Sequence, residues 1–417
     1  AMRQLLEEAG YDIVNFEPGA DIYVINTCTV TNIADRKSRQ MLHKAKKMNP
    51  EAIVVATGCY VQTGGDKLEK DEAIDLVLGN NQKINIVEAL AEYAENKPGH
   101  GSHVIKINQT KEYEDLSIDH TAEHVRAYIK VQDGCNQFCS YCIIPFARGR
   151  IRSRELADVM TEVRTLAENG YQEVVLSGIH ISSYKSANGV ELIDLIEAVN
   201  QVDGIQRIRL GSMEPMVITE DFVYRLARID KICPQFHLSL QSGCDETLQR
   251  MNRKYTLEEF TNSVALLRKA FSSPAITTDI IVGFPGETEE EFDRTKEYLH
   301  DIQFYELHVF PFSKREGTKA AVMPNQLPNQ EKSSRARELI LLGQQYSVDY
   351  RKAMLDKEVS VLFEDEITLD GVSYQTGYTK EYIKVITLET HSLHNQIVKG
   401  RITGMYSEDL CIFEREA

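Results

Sequence analysis

No stretch of this 417-residue chain approaches the ~18 consecutive apolar residues of a membrane span. Its first residues, AMRQLLEEAGYDIV, are acidic and amphipathic and unlike a signal peptide, so a cytoplasmic protein with no membrane partner is expected. Cysteine is scarce: eight residues in such a length do not make a secreted disulfide scaffold, and their clustering points to metal in a reducing compartment. There is no repeat period, no low-complexity tract and no Gly-rich phosphate loop of the Walker type. Nor is there a surplus of positive charge. The formal net charge of −16 argues mildly against nucleic acid as a partner, although a basic face can sit on an acidic protein.

Against these absences stands the stretch Gly134 to Arg154, GCNQFCSYCIIPFARGRIRSR. It places Cys135, Cys139 and Cys142 in a C-x3-C-x2-C run directly after the strand-like VRAYIKV. Three thiolates in one short loop converge on one metal centre more easily than they pair as disulfides, and such sets select iron–sulfur or zinc over hard cations. Zinc is the competing reading. It wants a fourth closed ligand, usually from a second paired C-x2-C, and the sequence contains no such pair.

At 42% apolar residues and this length the chain suggests two or three domains. Residues 1–100 alternate buried strands (DIYVIN, AIVVAT) with helices, which predicts a doubly wound parallel sheet. Cys28 and Cys59 fall just past two strand ends, where open α/β sheets place ligands. A buried cysteine is as readily a small hydrophobe. Residues 97–120 lack periodicity and read as a linker. Within 121–351, six strand-plus-helix units predict a partial (β/α)6 barrel, with chemistry at the carboxyl ends of its strands. Those ends carry Ser177-Gly178, Ser212, Glu214, Gln241 and Gly283. Capping boxes at Thr256/Glu259 and Thr288/Glu291 mark two helix starts. Residues 352–417, rich in Val, Ile, Thr and Tyr between Gly turns, predict a small antiparallel β barrel. The basic stretch Arg36, Lys37, Arg39, Lys44, Lys46 and Lys47 is either a polyanion contact or a solvated helix face.

The cysteine run resembles the signature of the radical S-adenosylmethionine (SAM) enzymes. The order of parts is similar to one family among them, the methylthiotransferases. NTCTVTNIADRKSRQ, ATGCY, the cysteine stretch, QSGCDETLQRMNRKYT and TDIIVGFPGETEEEF carry the resemblance over nearly the whole chain. It implies a [4Fe–4S] cluster on Cys135, Cys139 and Cys142, and Tyr141 beside the adenine of SAM. It also implies cofactor contacts from Ser177, Gly178, Ser212, Glu214, Gln241 and Gly283, and a C-terminal TRAM (OB-like) barrel. ARGRIRSR and QSGCDETLQRMNRKYT look most like the enzymes that methylthiolate C2 of N6-threonylcarbamoyladenosine at position 37 of tRNA. Isopentenyl-adenosine in tRNA and an aspartate of a ribosomal protein are the alternative substrates, and an iron–sulfur binding protein without catalysis is the other class. The implied partners are tRNA, an electron donor and a sulfur source. The tRNA contacts are expected from Arg36, Lys37, Arg39, Lys384, Lys399 and Arg401, and those of SAM carboxylate or tRNA backbone from Arg148 to Arg154. The family holds a second [4Fe–4S] cluster with three N-terminal cysteines. Only Cys28 and Cys59 precede Cys135 here, so that cluster is expected to be incomplete or lost. Cys233, Cys244 and Cys411 read as structural.

Overall fold

The computed structural model describes every residue except 66, 67, 69, 97–100, 111, 118–124, 390 and 417. It divides into two compact units. The first comprises Ala1–Ile118, Gln132–Arg154 and Ser313–Met323; the second comprises Asp119–Val131, Glu155–Phe312 and Pro324–Ala417.

In the first unit, β1 (Ile22–Thr27), β2 (Ile53–Gly58), β3 (Leu76–Leu78) and β4 (Gly101–His103) form a parallel sheet in that order. Successive side chains on β2 explain why its run is apolar throughout. Val54 packs with Leu42 and Ala45 of the helix Asn32–Met48, while Val55 packs with Ile86 and Leu90 of the helix Ile86–Asn96. Strand β4 lies inside the stretch expected to be a linker. It is three residues long and carries no apolar period, so only its pairing with β3 reveals it. The remainder of that expectation includes 97–100, 111 and 118–120, which lie outside the described residues.

In the second unit, β5 (Arg126–Asp133, up to Val131), β7 (Glu173–Gly178) and β8 (Arg207–Leu210) form one sheet. Between β5 and β7 the chain adds β6 (Arg152–Ser153), which pairs with the last two residues of β5 in the first unit. A second parallel sheet joins β9 (Gln235–His237), β10 (Ala275–Val282) and β11 (Glu306–Pro311). Bridges at Ile208–Ile232 and Met213–Leu238 link the two sheets into the partial barrel. Beyond His237, β9 continues irregularly as far as a bridge from Gln241 to Ile280 of β10. A short helix, Asp245–Arg250, was not read from the sequence; six residues are too few to show a helical period. Both capping boxes are formed.

The C-terminal strands β12 (Glu358–Leu369), β13 (Val372–Thr379), β14 (Lys384–Thr387), β15 (Ile397–Met405) and β16 (Cys411–Arg415) close into a five-stranded barrel. Its core is built on Phe363, Ile383, Val385, Ile402 and Phe413. Strand alternation sends Glu173 and Arg207 to the inner face of the partial barrel, where both are fully buried. Glu173 accepts from Arg209 at 2.9 Å and lies 3.5 Å from Arg207. Arg207 donates to the carbonyls of Ser360 (2.7 Å) and Tyr378 (3.0 Å), and Arg209 to that of Lys380 (3.0 Å), tying the two barrels together. Burial opposes the Glu173 charge, but Arg209 and Arg207 more than offset it and hold its carboxyl below the usual range.

Replacing Glu173 by Gln strands two buried guanidiniums. A loss of about 3–5 kcal/mol in unfolding free energy is expected from denaturant titration. A loss under about 1 kcal/mol, the scale of an exposed pair, would refute this role for the cluster.

Candidate iron–sulfur and cofactor site

The cysteine loop begins where β5 ends, and its path is set by backbone that few residues can adopt. Gly134 sits at φ +75°, and a Cβ there would come within 2.0 Å of the Arg150 carbonyl. The Cys135 N–H donates to the Gly149 carbonyl (3.1 Å) and the Cys142 N–H to that of Cys139 (3.0 Å), folding the run back on itself. Phe138 is left-handed at φ +51°, with the Arg150 guanidinium 4.6 Å above its ring. Buried Asp133 accepts from the Gly134 N–H at 2.9 Å and faces Arg148 (3.5 Å) and Arg152 (3.6 Å).

None of the eight cysteines is in a disulfide. Cys135, Cys139 and Cys142 are half-buried. The donor set of the loop is all thiol, which suits an iron–sulfur cluster.

Cys28 and Cys59 follow directly on Thr27 and Gly58, which pair across β1 and β2, so the two lie side by side at one sheet edge. Gly58, at φ +103°, allows this because a Cβ would stand 2.4 Å from the Thr27 carbonyl oxygen. Cys28 is exposed and Cys59 buried. The Cys59 sulfur accepts from Arg148 Nε at 3.0 Å and lies 3.6 Å from Asn80 Nδ2. Both cysteines and the three of the loop belong to one compact unit. So does Arg315, which donates to Asp35, Thr29 and Asn32 and thereby holds NTCTVTNIADR.

Three of the four arginines assigned to SAM or tRNA are used inside the protein. Arg148 serves Asp133 and Cys59, Arg152 serves Asp133 and the Arg148 carbonyl, and Arg154 pairs with Asp115 at 2.7 Å. Only Arg150 is exposed. Arg401 is likewise committed, to Glu358 and the Asp356 carbonyl. Arg36, Lys37, Arg39 and Lys399 are exposed and Lys384 is half-buried. Lys46, by contrast, pairs with Asp75 at 2.8 Å.

In the second unit the expected strand-end residues hold defined positions. Ser177 Oγ donates to the Ile129 carbonyl (3.2 Å), Gly178 closes β7, and Ser212 and Ser239 share a hydrogen bond of 2.9 Å. Both oxygens of Glu214 accept from Arg253 at 2.6 Å, a partner the sequence reading left unassigned inside QRMNRKY. Burial holds the nearby His180 imidazole below its ordinary range, despite Glu214 at 3.9 Å. Gln241 is left-handed at φ +71° and brackets β10 through the Asp279 carbonyl and the Ile281 N–H. Gly283, at φ +68°, has a reason within the protein: a Cβ would lie 2.4 Å from Lys332 Cγ. Its N–H donates to Glu287 (2.7 Å), itself paired with Arg335 (2.6 Å). Tyr141 is half-buried in the cysteine loop. Cys233, Cys244 and Cys411 are buried, and burial pushes the Cys233 thiol up to about 11, as expected of structural thiols.

Residues 129–299 match the family described as the Radical SAM superfamily, and residues 1–79 that described as Uncharacterized protein family UPF0004. The chain is 40% identical to Threonylcarbamoyladenosine tRNA methylthiotransferase MtaB of Bacillus subtilis (strain 168), over 96% of this chain and 90% of that one. It is 41% identical to the protein of the same name from Aquifex aeolicus, over 91% and 93% of the two chains. A tRNA-2-methylthio-N(6)-dimethylallyladenosine synthase of Clostridium novyi is 35% identical over 86% and 81%. Among solved structures, the radical SAM methyltransferase TsrM of Kitasatospora setae superposes with a TM-score of 0.56 at 17% identity, over 74% of this chain and 70% of that one, a likeness of fold. No helix among the described residues is long and apolar enough to cross a membrane. Identity at this level across nine-tenths of both chains, joined to the cysteine run and the strand-end residues, shows that the chain belongs to the radical SAM methylthiotransferase family.

Proposed function

We propose that the chain methylthiolates C2 of N6-threonylcarbamoyladenosine at position 37 of tRNA. The observation that carries this reading is the 40% identity, over 96% of the chain, to a relative bearing that activity in its name. Cys135, Cys139 and Cys142 hold a [4Fe–4S] cluster. Tyr141, Ser177, Gly178, Ser212, Glu214, Gln241 and Gly283 contact SAM, and Cys28 and Cys59 are ligands toward a second cluster. A cluster held by Cys135, Cys139 and Cys142 would supply one-electron reduction of SAM, giving methionine and a 5′-deoxyadenosyl radical.

The chain's own residues supply order and exclusion. The Arg253 guanidinium fixes the Glu214 carboxylate, so that it meets a ribose hydroxyl or an ammonium without first reorganising. The loop bonds of Gly134, Cys135 and Cys142 keep the three thiols on one backbone frame. Residues 352–417 are proposed to act as a TRAM domain that grips tRNA through Lys384 and Lys399, with Arg401 steadying the strand edge. Arg36, Lys37 and Arg39, exposed on the helix Asn32–Met48, form the second grip. An electron donor and a sulfur source complete the set of partners, in the cytoplasm.

Reconstituted anaerobically and reduced, the protein should convert SAM to 5′-deoxyadenosine and methionine, and Cys139→Ala should abolish the product on chromatography. Retained cleavage in that variant would remove Cys139 from the ligand set. Mass spectrometry of tRNA nucleosides from cells lacking the gene should show loss of 2-methylthio-N6-threonylcarbamoyladenosine; loss of the dimethylallyl product instead would move the chain to the other named relatives. For the grip on tRNA, Lys37→Glu with Arg39→Glu should weaken binding at low salt and flatten the slope of log K against log salt by about one per lost contact. An unchanged slope would place the interface elsewhere.

A further inference from the structure

Strands β9, β10 and β11 send His237, Asp279 and His308 to the inner face of the partial barrel, with Glu306 two residues before His308 on β11. Their alternate residues Phe236, Ile276 and Ile280 pack into the main apolar core, which turns His237, Thr277, Asp279 and His308 to the other side. Register makes them neighbours: His237 stands opposite Thr277, and Asp279 opposite His308. One ligand atom from each of His237, Asp279 and His308 lies within 4.8 Å of the other two, and among the described residues no other such trio of His, Cys, Asp and Glu is present.

We propose that His237, Asp279 and His308 form a binding site for a single divalent transition-metal ion of borderline hardness. Two imidazoles and one carboxylate with open positions are a donor set used by ferrous, zinc and cobalt ions. The distances within the trio carry the assignment. His237 Nε2 and Asp279 Oδ2 are 3.5 Å apart, too long for a good hydrogen bond. Two ligands bonded to one ion at about 2.1 Å stand about 3.0–3.4 Å apart, so this separation suits a shared cation. The far side of His237 is prepared as well. Its Nδ1 lies 3.0 Å from the hydroxyl of buried Thr277; when that hydroxyl accepts, the proton sits on Nδ1 and the Nε2 lone pair faces the trio. A ligating histidine characteristically has such an outer partner. The His308 ring stacks on that of His237 at 5.6 Å and 25°, limiting its rotation, and is exposed, which leaves a path of entry. Mounting all three on adjacent strands gives the geometry more rigidity than loops would.

This inference is independent of the methylthiotransferase reading, because it concerns neither the cysteines nor tRNA. The test uses the full chain after anaerobic iron–sulfur reconstitution and desalting, titrated with Mn2+, an ion that prefers oxygen and nitrogen to thiolate. Free Mn2+, counted by its electron paramagnetic resonance signal, should fall by one ion per chain. His308→Gln and Asp279→Asn should each weaken that binding at least about tenfold, the loss that even an outer partner of a ligand produces. Thr277→Val should weaken it less. Because His308 is exposed, its variant should keep the wild-type melting temperature, so lost binding there is not lost fold. Co2+ should give d–d bands without a sulfur charge-transfer band. A wild type that binds neither Mn2+ nor Co2+, or binding unaltered in both ligand variants, would overturn the proposal.

Discussion

One buried carboxylate, that of Asp133, holds the cysteine loop in place. It sits at the last residue of β5, accepts from the Gly134 N–H, and faces the guanidiniums of Arg148 and Arg152. Arg148 then reaches the Cys59 sulfur, so the same ionic cluster sets the surroundings of the loop and of a cysteine 76 positions before it. Desolvating a charge costs several kcal/mol, and such a cluster is tolerable only when each member is partnered. That requirement is why the loop carries an alternating run of arginines. Their positive charge is needed within the protein, to let a carboxylate sit where the chain must turn toward its thiols.

The opposite end of β5 is anchored in the same manner. Arg126 pairs with Glu364 at 2.7 Å and lies over the rings of Tyr378 and Tyr382, beside the Glu173, Arg207 and Arg209 cluster. An apolar floor would have been no less stable at equal volume. What the ions add is direction, because Arg207 and Arg209 spend their remaining N–H groups on three named carbonyls of the C-terminal barrel. A strand whose first residue is tied to that barrel cannot slip in register without breaking those bonds.

These arrangements also mark the boundary of what the sequence disclosed. Periodicity identified the strands, and the strand ends located Ser177, Glu214, Gln241 and the cysteines, because chemistry at carboxyl ends follows from topology. The partners were hidden. A run such as ARGRIRSR has the composition of a polyanion-binding surface, and nothing local reveals that Arg152 and Arg154 are buried against Asp133 and Asp115. Arg315 meets Asp35 across 280 positions, and Arg253 meets Glu214 across 39, separations at which pattern reading has no purchase. Gly283 illustrates a subtler case. The need for glycine was legible, but the structure gives it a local cause in the approach of Lys332. His237, Asp279 and His308 escaped notice because single polar residues on apolar strands look like exceptions until the register sets them side by side.

The chain carries −16 overall, and from Lys352 onward seven basic residues face twelve acidic ones. Of its conspicuous cations, Lys46, Arg148, Arg152, Arg154 and Arg401 are engaged internally. What remains for phosphate is a small set, chiefly Arg36, Lys37 and Arg39 on one helix and Lys384 and Lys399 on the C-terminal barrel. Each phosphate neutralised contributes a fixed share to the salt dependence, so a few contacts give only modest, easily screened affinity. On the proposed reading such a surface would position a polyanion without selecting it, and selection would come from groups that read the modified base.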